Sequence, residues 1–503
     1  MAAGALRPFG QADCEAELRL LRDQYSELYF DETPFNDQAT APETYLIIGR
    51  RGSGKTALAQ YFSFQRALPN AIYIAVDEPA IYQQVLSDVA AHSSQSREVS
   101  IPKLEKVWEY VLWCVIFEHI RSQSALITAA CDMTCEERTP SGLVNSIISR
   151  LHRFLREDNQ ELDERLKLLL SEDRVQLAKQ ETLRFAQRRP IIIVLDTLER
   201  YDTRDDGLMN ALAALIQCAA KFNISYSERG IHLKVLMSGE VYPFLEEQVL
   251  QNPSKSVRDS VHLFWRPKDL LRLISWRFYR YLSAQGMLHA SSKHSIDWTS
   301  HRDVLRKMWI PYFGEHVRNR RGVEESTFYY VLRHTQMRPR QLILLCNSIA
   351  KLAHRDGTFP TFRGDHLREG ILQLEDDLAL EVVNSFSSLY PNVARIIDAL
   401  VGTPLIFKAK ELARWAPRTA SAWHNSSYSP AGFASLASEL GIVGKVNQLT
   451  GGVVEAEFEY SLKRRLGISI DDECAIHPMY YSRLGTKVNQ ELRVMPFSIT
   501  HET

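Results

Sequence analysis

Tyr45-Leu46-Ile47-Ile48-Gly49-Arg50-Arg51-Gly52-Ser53-Gly54-Lys55-Thr56-Ala57 is the stretch on which the fold turns. Gly49 to Thr56 satisfies G-x-x-x-x-G-K-[ST] in full, after a buried apolar run and before a helical one, the context that gives this motif its meaning. Each residue type has a task there. The glycines let the chain curl so that successive N–H groups, helped by the helix N-terminus, face phosphate oxygens. Lys55 is placed to set an ammonium between β- and γ-phosphates, and the Thr56 hydroxyl to complete a Mg²⁺ shell. Residues Gly49, Arg50, Arg51, Gly52, Ser53, Gly54, Lys55, Thr56 and Ala57 are therefore the expected nucleotide cradle, with Arg50 and Arg51 facing solvent or a partner.

Working outward, Ile191-Ile192-Ile193-Val194-Leu195-Asp196 is an apolar strand ending in a carboxylate. Asp196 is expected at the end of a strand next to the loop, sharing a Mg²⁺ with Thr56. No N-K-x-D or T-K-x-D guanine reader occurs, so ATP is the expected nucleotide. Further strands are expected at Thr44 to Gly49, Ala71 to Val76, His232 to Ser238 and Val261 to Trp265, with helical patterns between them. Strands alternating with helices indicate an α/β fold with a parallel sheet. More than a hundred residues separate the second and third strands, and they carry helical spacing, as in Leu104, Val107, Trp108, Val111, Leu112, Val115 and Ile116. They read as a helical insertion.

Composition bounds the rest. At 503 residues the chain is too long for one core, and 45% hydrophobic with 24% charged residues is an ordinary folded composition. Sixty basic against sixty-one acidic residues leave a net charge of -1, so no global field draws it to nucleic acid or membrane. The longest apolar runs, Tyr110 to Phe117 and Pro190 to Leu195, fall far short of the ~20 residues of a membrane span. With seven cysteines in no zinc spacing and no secretory leader, the expected setting is a reducing cytoplasm. Cys131 and Cys135 with His119 or His152 are a weak metal pattern, better read as buried thiols.

After Trp265 the pattern turns helical, with Lys268 to Leu282 and Tyr329 to Leu352 as helices. From Tyr390 short helices, a helix at Ala431 to Leu440 and a hairpin of Ile442 to Val446 with Val453 to Tyr460, joined by Asn447 to Gly452, spell a winged helix. The expected organisation is a helical segment over 1–43, an ATPase core over 44–267 with its insertion at about 101–189, a helical lid over 268–385 and a winged-helix domain over 386–503.

Asp196-Thr197-Leu198-Glu199-Arg200 resembles the D-D-L-D-R segment of KAP-type and STAND-type P-loop ATPases, in the AAA-like group that includes origin-recognition ATPases. Val235-Leu236-Met237-Ser238 resembles the strand ending in a sensor 1 residue. Arg338-Pro339-Arg340-Gln341-Leu342 with Asn347 resembles the lid helix start, where Arg340 would be sensor 2. The resemblance spans about Thr44 to Ser482. It implies a nucleotide switch with ATP and Mg²⁺, a homo-oligomer in which Arg258 is an arginine finger, and an effector or sensor protein partner in signalling or anti-phage defence. The sequence departs from the pattern at Thr197, where relatives carry a second acid; Glu199 either replaces it as the base or pairs with a basic neighbour. Losing that base would slow hydrolysis, which suits a switch. DNA is not the favoured ligand, because Pro430 to Leu440 and the Asn447 to Gly452 tip carry no basic residue. Lys408, Lys410, Arg414, Arg418 and Lys463-Arg464-Arg465 are the nearby cations. The rival readings are a DNA-associated loader or partition ATPase and a pseudo-ATPase scaffold.

Overall fold

The buried apolar runs become parallel strands because each is covered on both faces, which only a sheet with helices on either side provides. A computed structural model describes residues 6–76, 97–134, 171–196, 206–248, 260–423, 428–462, 465–487 and 492–498. They divide into two units. One holds Pro34–Arg51 and Lys55–Leu263; the other holds Met1–Thr33, Gly52–Gly54 and Phe264–Thr503.

The first unit is built on β1 (Leu46–Gly49), β2 (Ile72–Val76), β3 (Ile191–Asp196), β4 (Ile231–Ser238) and β5 (Ser260–His262), in the order β2-β3-β4-β1-β5. Every pairing is parallel. The expectation that Asp196 ends a strand next to the loop strand is corrected here: β4 lies between β1 and β3, pairing Ile48 with Met237 and Leu195 with Val235. Strand order is set by packing across the whole sheet, which a local pattern does not encode. β5 is shorter than expected and ends at His262.

Helices Arg97–His119 and Asp206–Tyr226 pack on this sheet. The Trp108 indole Nε1 donates to Ala211 O at 2.9 Å, and Trp113 packs against the rings of Phe222 and Tyr226. Asn223 mimics a peptide, its Nδ2 donating to Leu233 O and its Oδ1 accepting from Leu233 N, which satisfies both buried groups. Asp206–Arg229 is long and apolar enough to cross a bilayer by composition, but 72% of the window is buried in the protein, as in a core helix. Ala125–Thr134 and Asp173–Arg188 continue the helical insertion expected at about 101–189, of which 135–170 lies outside the described residues.

One charge is buried at the start of the sheet. Lys234, on β4 and 1% exposed, donates from Nζ to Ala41 O at 2.7 Å and Thr44 O at 2.6 Å. Desolvation lowers its pKa to about 7, against the pull of Glu43. It ties down the chain just before β1. The chain before it holds a helix, Pro34–Thr40, because a proline suits the first turn, where its missing N–H costs nothing.

The other unit joins the two ends of the chain. Phe9 is fully buried against Phe278, with ring centroids 4.6 Å apart, and its N–H donates to Asn347 Oδ1. Arg277 donates to Phe9 O at 2.7 Å and pairs with buried Glu17. The helical segment expected over 1–43 is not one continuous helix: Cys14–Leu21 and Tyr25–Leu28 flank a 3₁₀ turn, with Arg22 at φ 49°. Helices Pro267–Gln285, Pro339–Arg355 and Gly364–Ser385 share one core with the residues that follow them.

Strands appear in this unit, of which only the hairpin of Val443–Thr450 with Val453–Glu457 was expected. β6 (His316–Arg318) and β7 (Glu324–Ser326) form a short antiparallel ribbon. β8 (Ile406–Lys408), β9 (Val443–Thr450), β10 (Val453–Glu457), β11 (Glu473–Ile476) and β12 (Arg493–Met495) form a sheet in the order β12-β10-β9-β11-β8. The expected loop over Asn447 to Gly452 is only the two residues Gly451 and Gly452, with φ of 56° and 78°. Two positive-φ residues make a tight hairpin turn, so the polar residues Asn447 to Thr450 stay in the strand. The His477-Pro478-Met479-Tyr480 stretch follows β11, whereas the last strand, β12, pairs with β10.

Candidate functional site

The loop begins after Gly49, the last residue of β1, and ends where Lys55 opens the helix Lys55–Tyr61. Gly52 and Gly54 take φ of 79° and 98°, conformations that a side chain would strain. Lys55 is buried, and its Nζ donates to Gly49 O at 2.8 Å. The loop thus wraps its own ammonium. Thr56 Oγ1 donates to Asp196 Oδ2 at 2.9 Å, so the hydroxyl and the carboxylate expected to share a metal meet although their strands are not neighbours. The helix start after β1 and the C-terminal end of β3 place them so, at the carboxyl edge of the sheet where α/β folds bind ligands. The residues also fit the phosphate ligand: Ser53 Oγ is buried with no hydrogen-bond partner among the described residues, and nothing lies within 4 Å of a Cβ built on Gly54.

Ser238, at the end of β4, donates from Oγ to Glu240 Oε2 at 2.7 Å. Glu240 Oε1 in turn accepts from the Arg51 N–H at 2.9 Å, and Gly239 N donates to Gly49 O at 3.0 Å. The sequence reading missed Glu240. Its only signal was position, two residues beyond Ser238 at the carboxyl end of a parallel strand. Arg50 packs against Gly239, where an added Cβ would stand 3.0 Å from Arg50 N.

Gly52–Gly54 group with the second unit. There the Trp265 indole donates to Ser53 O at 2.8 Å and Arg340 N donates to Gly52 O at 3.4 Å. The Arg340 guanidinium pairs with Glu381, Nε to Oε1, at 3.3 Å. Glu199, with Thr197, and Arg258 lie outside the described residues, as do Cys135, His152, Lys463 and Arg464. Ala57 follows Thr56 in the helix.

Sheet, loop and carboxylate together define the fold class. This is an α/β P-loop NTPase fold. No family model matches the chain, and no curated protein matches it. Among solved structures it is similar to the Aeropyrum pernix ORC2 protein, determined in ADPNP–ADP complexes, at 12% identity and a TM-score of 0.35, covering 88% of this chain and 91% of that one.

Proposed function

We propose that the chain binds ATP at Gly49–Ala57 and hydrolyses it slowly, as a molecular switch. The observation that carries this reading is the Thr56–Asp196 hydrogen bond of 2.9 Å beside the buried Lys55. Hydroxyl, carboxylate and ammonium are the three groups that phosphoryl transfer on a phosphate loop requires, and here they converge. Lys55 would exchange its carbonyl partners for phosphate oxygens, while Thr56 and Asp196 would hold Mg²⁺. When bound, Mg²⁺ neutralises charge on the transferring phosphoryl group. Ser238 would act as sensor 1 with its hydroxyl oriented by Glu240, Arg340 as sensor 2, Arg258 as a finger from another copy, and Glu199 as the base.

The KAP/STAND-like reading carries a homo-oligomer, a sensor or effector protein partner, a role in anti-phage defence and a winged helix for the β8–β12 sheet with its helices. A protein partner is favoured over DNA by the state of the cations. Lys408 pairs with Glu473, Arg414 with Glu411, Lys445 with Asp472 and Arg465 with Glu439. Cations already matched by carboxylates release few counterions from a phosphate backbone.

The test is Lys55→Ala. It removes the ammonium from the loop, and binding of labelled ATP should be lost while the melting temperature holds. Unchanged affinity would place the nucleotide elsewhere.

A further inference from the structure

The end of the Thr327–Leu332 helix with Arg333 and His334 after it, the Gly364–Ser385 helix and the Tyr481–Leu484 helix line a cavity of about 400 Å³. Arg320, Arg321 and Arg333 bring three guanidinium groups to it. The opposing carboxylates are Glu375 and Glu325, the latter already accepting from Arg333 Nη2 at 3.1 Å and Asn319 Nδ2 at 2.7 Å. Arg320 and Arg321 also brace the carbonyls of Arg368 and Leu492.

Several polar atoms around the cavity are buried and make no hydrogen bond among the described residues. They are both ring nitrogens of His334, Arg333 Nε, Tyr481 Oη, Thr486 Oγ1 and Glu375 Oε1. His334 is 7% exposed, and Glu375 Oε1 stands 3.9 Å from its Nδ1, too far for a hydrogen bond. The second Glu375 oxygen accepts from Ser482 Oγ at 2.9 Å. Buried polar groups are nearly always hydrogen-bonded, so this many unpaired ones around one cavity call for a partner within it. Desolvation pushes His334 well below its ordinary value, with the three arginines adding to it, and raises Glu375 from its ordinary value. Water could fill the space but brings no charge to answer the guanidinium groups.

We propose that this cavity binds a small phosphate monoester of mononucleotide size. Arg320 and Arg333 meet the phosphate, whose oxygens accept from planar guanidinium donors in the geometry arginine favours. Tyr481 Oη and Thr486 Oγ1 add neutral donors. Glu375 Oε1 accepts from an N–H or O–H of the organic part, and the Tyr330 ring flanks it. The volume lies within the range of small-molecule pockets. None of these residues belongs to the phosphate loop, so the proposal stands or falls apart from ATP binding there.

Calorimetric titration of the full chain, as wild type and as Lys55→Ala, with AMP and separately with inorganic phosphate tests it. AMP should bind both proteins alike, and more tightly than phosphate alone. Arg320→Ala should weaken AMP binding by about tenfold or more, as loss of a charge-assisted bond does. Tyr481→Phe should weaken it while leaving the melting temperature of the free protein unchanged or raised, because an unpaired buried hydroxyl is removed. No AMP binding at millimolar concentration overturns the proposal. So does AMP binding that Arg320→Ala and Tyr481→Phe both leave intact. Phosphate binding as tightly as AMP overturns the assignment of an organic part.

Discussion

Glu240 offers the sharpest test of how the loop is held. Its carboxylate is 8% exposed and accepts two hydrogen bonds, from the Arg51 N–H at 2.9 Å and from Ser238 Oγ at 2.7 Å. A bond to a charged group in such a place is worth about 1.5–3 kcal/mol. Glu240→Ala removes both and leaves two donors facing a void, a loss of about 3–5 kcal/mol in all. Glu240→Gln keeps one oxygen for Arg51 N–H, and the Ser238 hydroxyl can rotate to accept from the new amide. Its loss is the charge alone, about 1 kcal/mol. The Arg51 share acts on the loop that must be ordered to cradle phosphates, so about 1.4 kcal/mol or more of it appears as a tenfold weaker ATP affinity. Calorimetry should find ATP weakened about tenfold or more in Glu240→Ala and less than about threefold in Glu240→Gln. ATP affinity in Glu240→Ala within twofold of wild type refutes the argument, since the bond to Arg51 would then not order the loop. A glutamine variant as impaired as the alanine one refutes it differently, by making the charge matter rather than the two bonds.

Asp196→Asn should retain ATP but lose Mg²⁺-dependent turnover by about a hundredfold or more, measured by phosphate release, because the metal shell loses its charge. Lys234→Met gives a pH signature. Lys234 has a folded pKa of about 7 against 10.5 unfolded, so the unfolded chain binds the extra proton between those values and wild-type stability rises with pH through that window. The stability difference between wild type and Lys234→Met in urea unfolding should therefore move in favour of wild type by about 2 kcal/mol from pH 7 to pH 9, and a flat difference would contradict the buried charge. Fluorescence anisotropy with duplex and single-stranded DNA should show no submicromolar binding near physiological salt, with or without ATP; tight, sequence-blind binding there would favour the DNA-associated reading.

The loop and its strand were legible because their local demands leave little choice. An apolar run, positive-φ glycines and a lysine at the helix start have one common solution, and Ile191 to Asp196 reads the same way. What stayed hidden was set at longer range. Nothing in Ile231 to Ser238 says that this strand will lie between β1 and β3, and Glu240 belongs to no motif. Three-residue strands such as β6, β8 and β12 are too short to show an alternation. The Pro34–Thr40 helix was masked by polar residues, although Pro34 marks its first turn. Polar strand residues such as Asn447 to Thr450 looked like a loop until the two-glycine turn fixed the register.

Apart from the three loop residues Gly52–Gly54, the chain leaves one unit at Thr33 and does not return to it until Phe264. During synthesis, Phe9, Glu17 and their neighbours therefore emerge long before Arg277 and Phe278, the residues that bury them. Glu17 and Arg277 are 260 residues apart, and at about 5–20 residues per second such an interval lasts about 13–52 seconds. Throughout that time an aromatic and an acid destined for a buried site wait in the open, while the β1–β5 unit can finish folding. The ribosome thus delivers the pieces of one unit on either side of the other. A bulky fusion at the amino end would then be felt at the Pro267–Gln285 helix, not at the nucleotide loop.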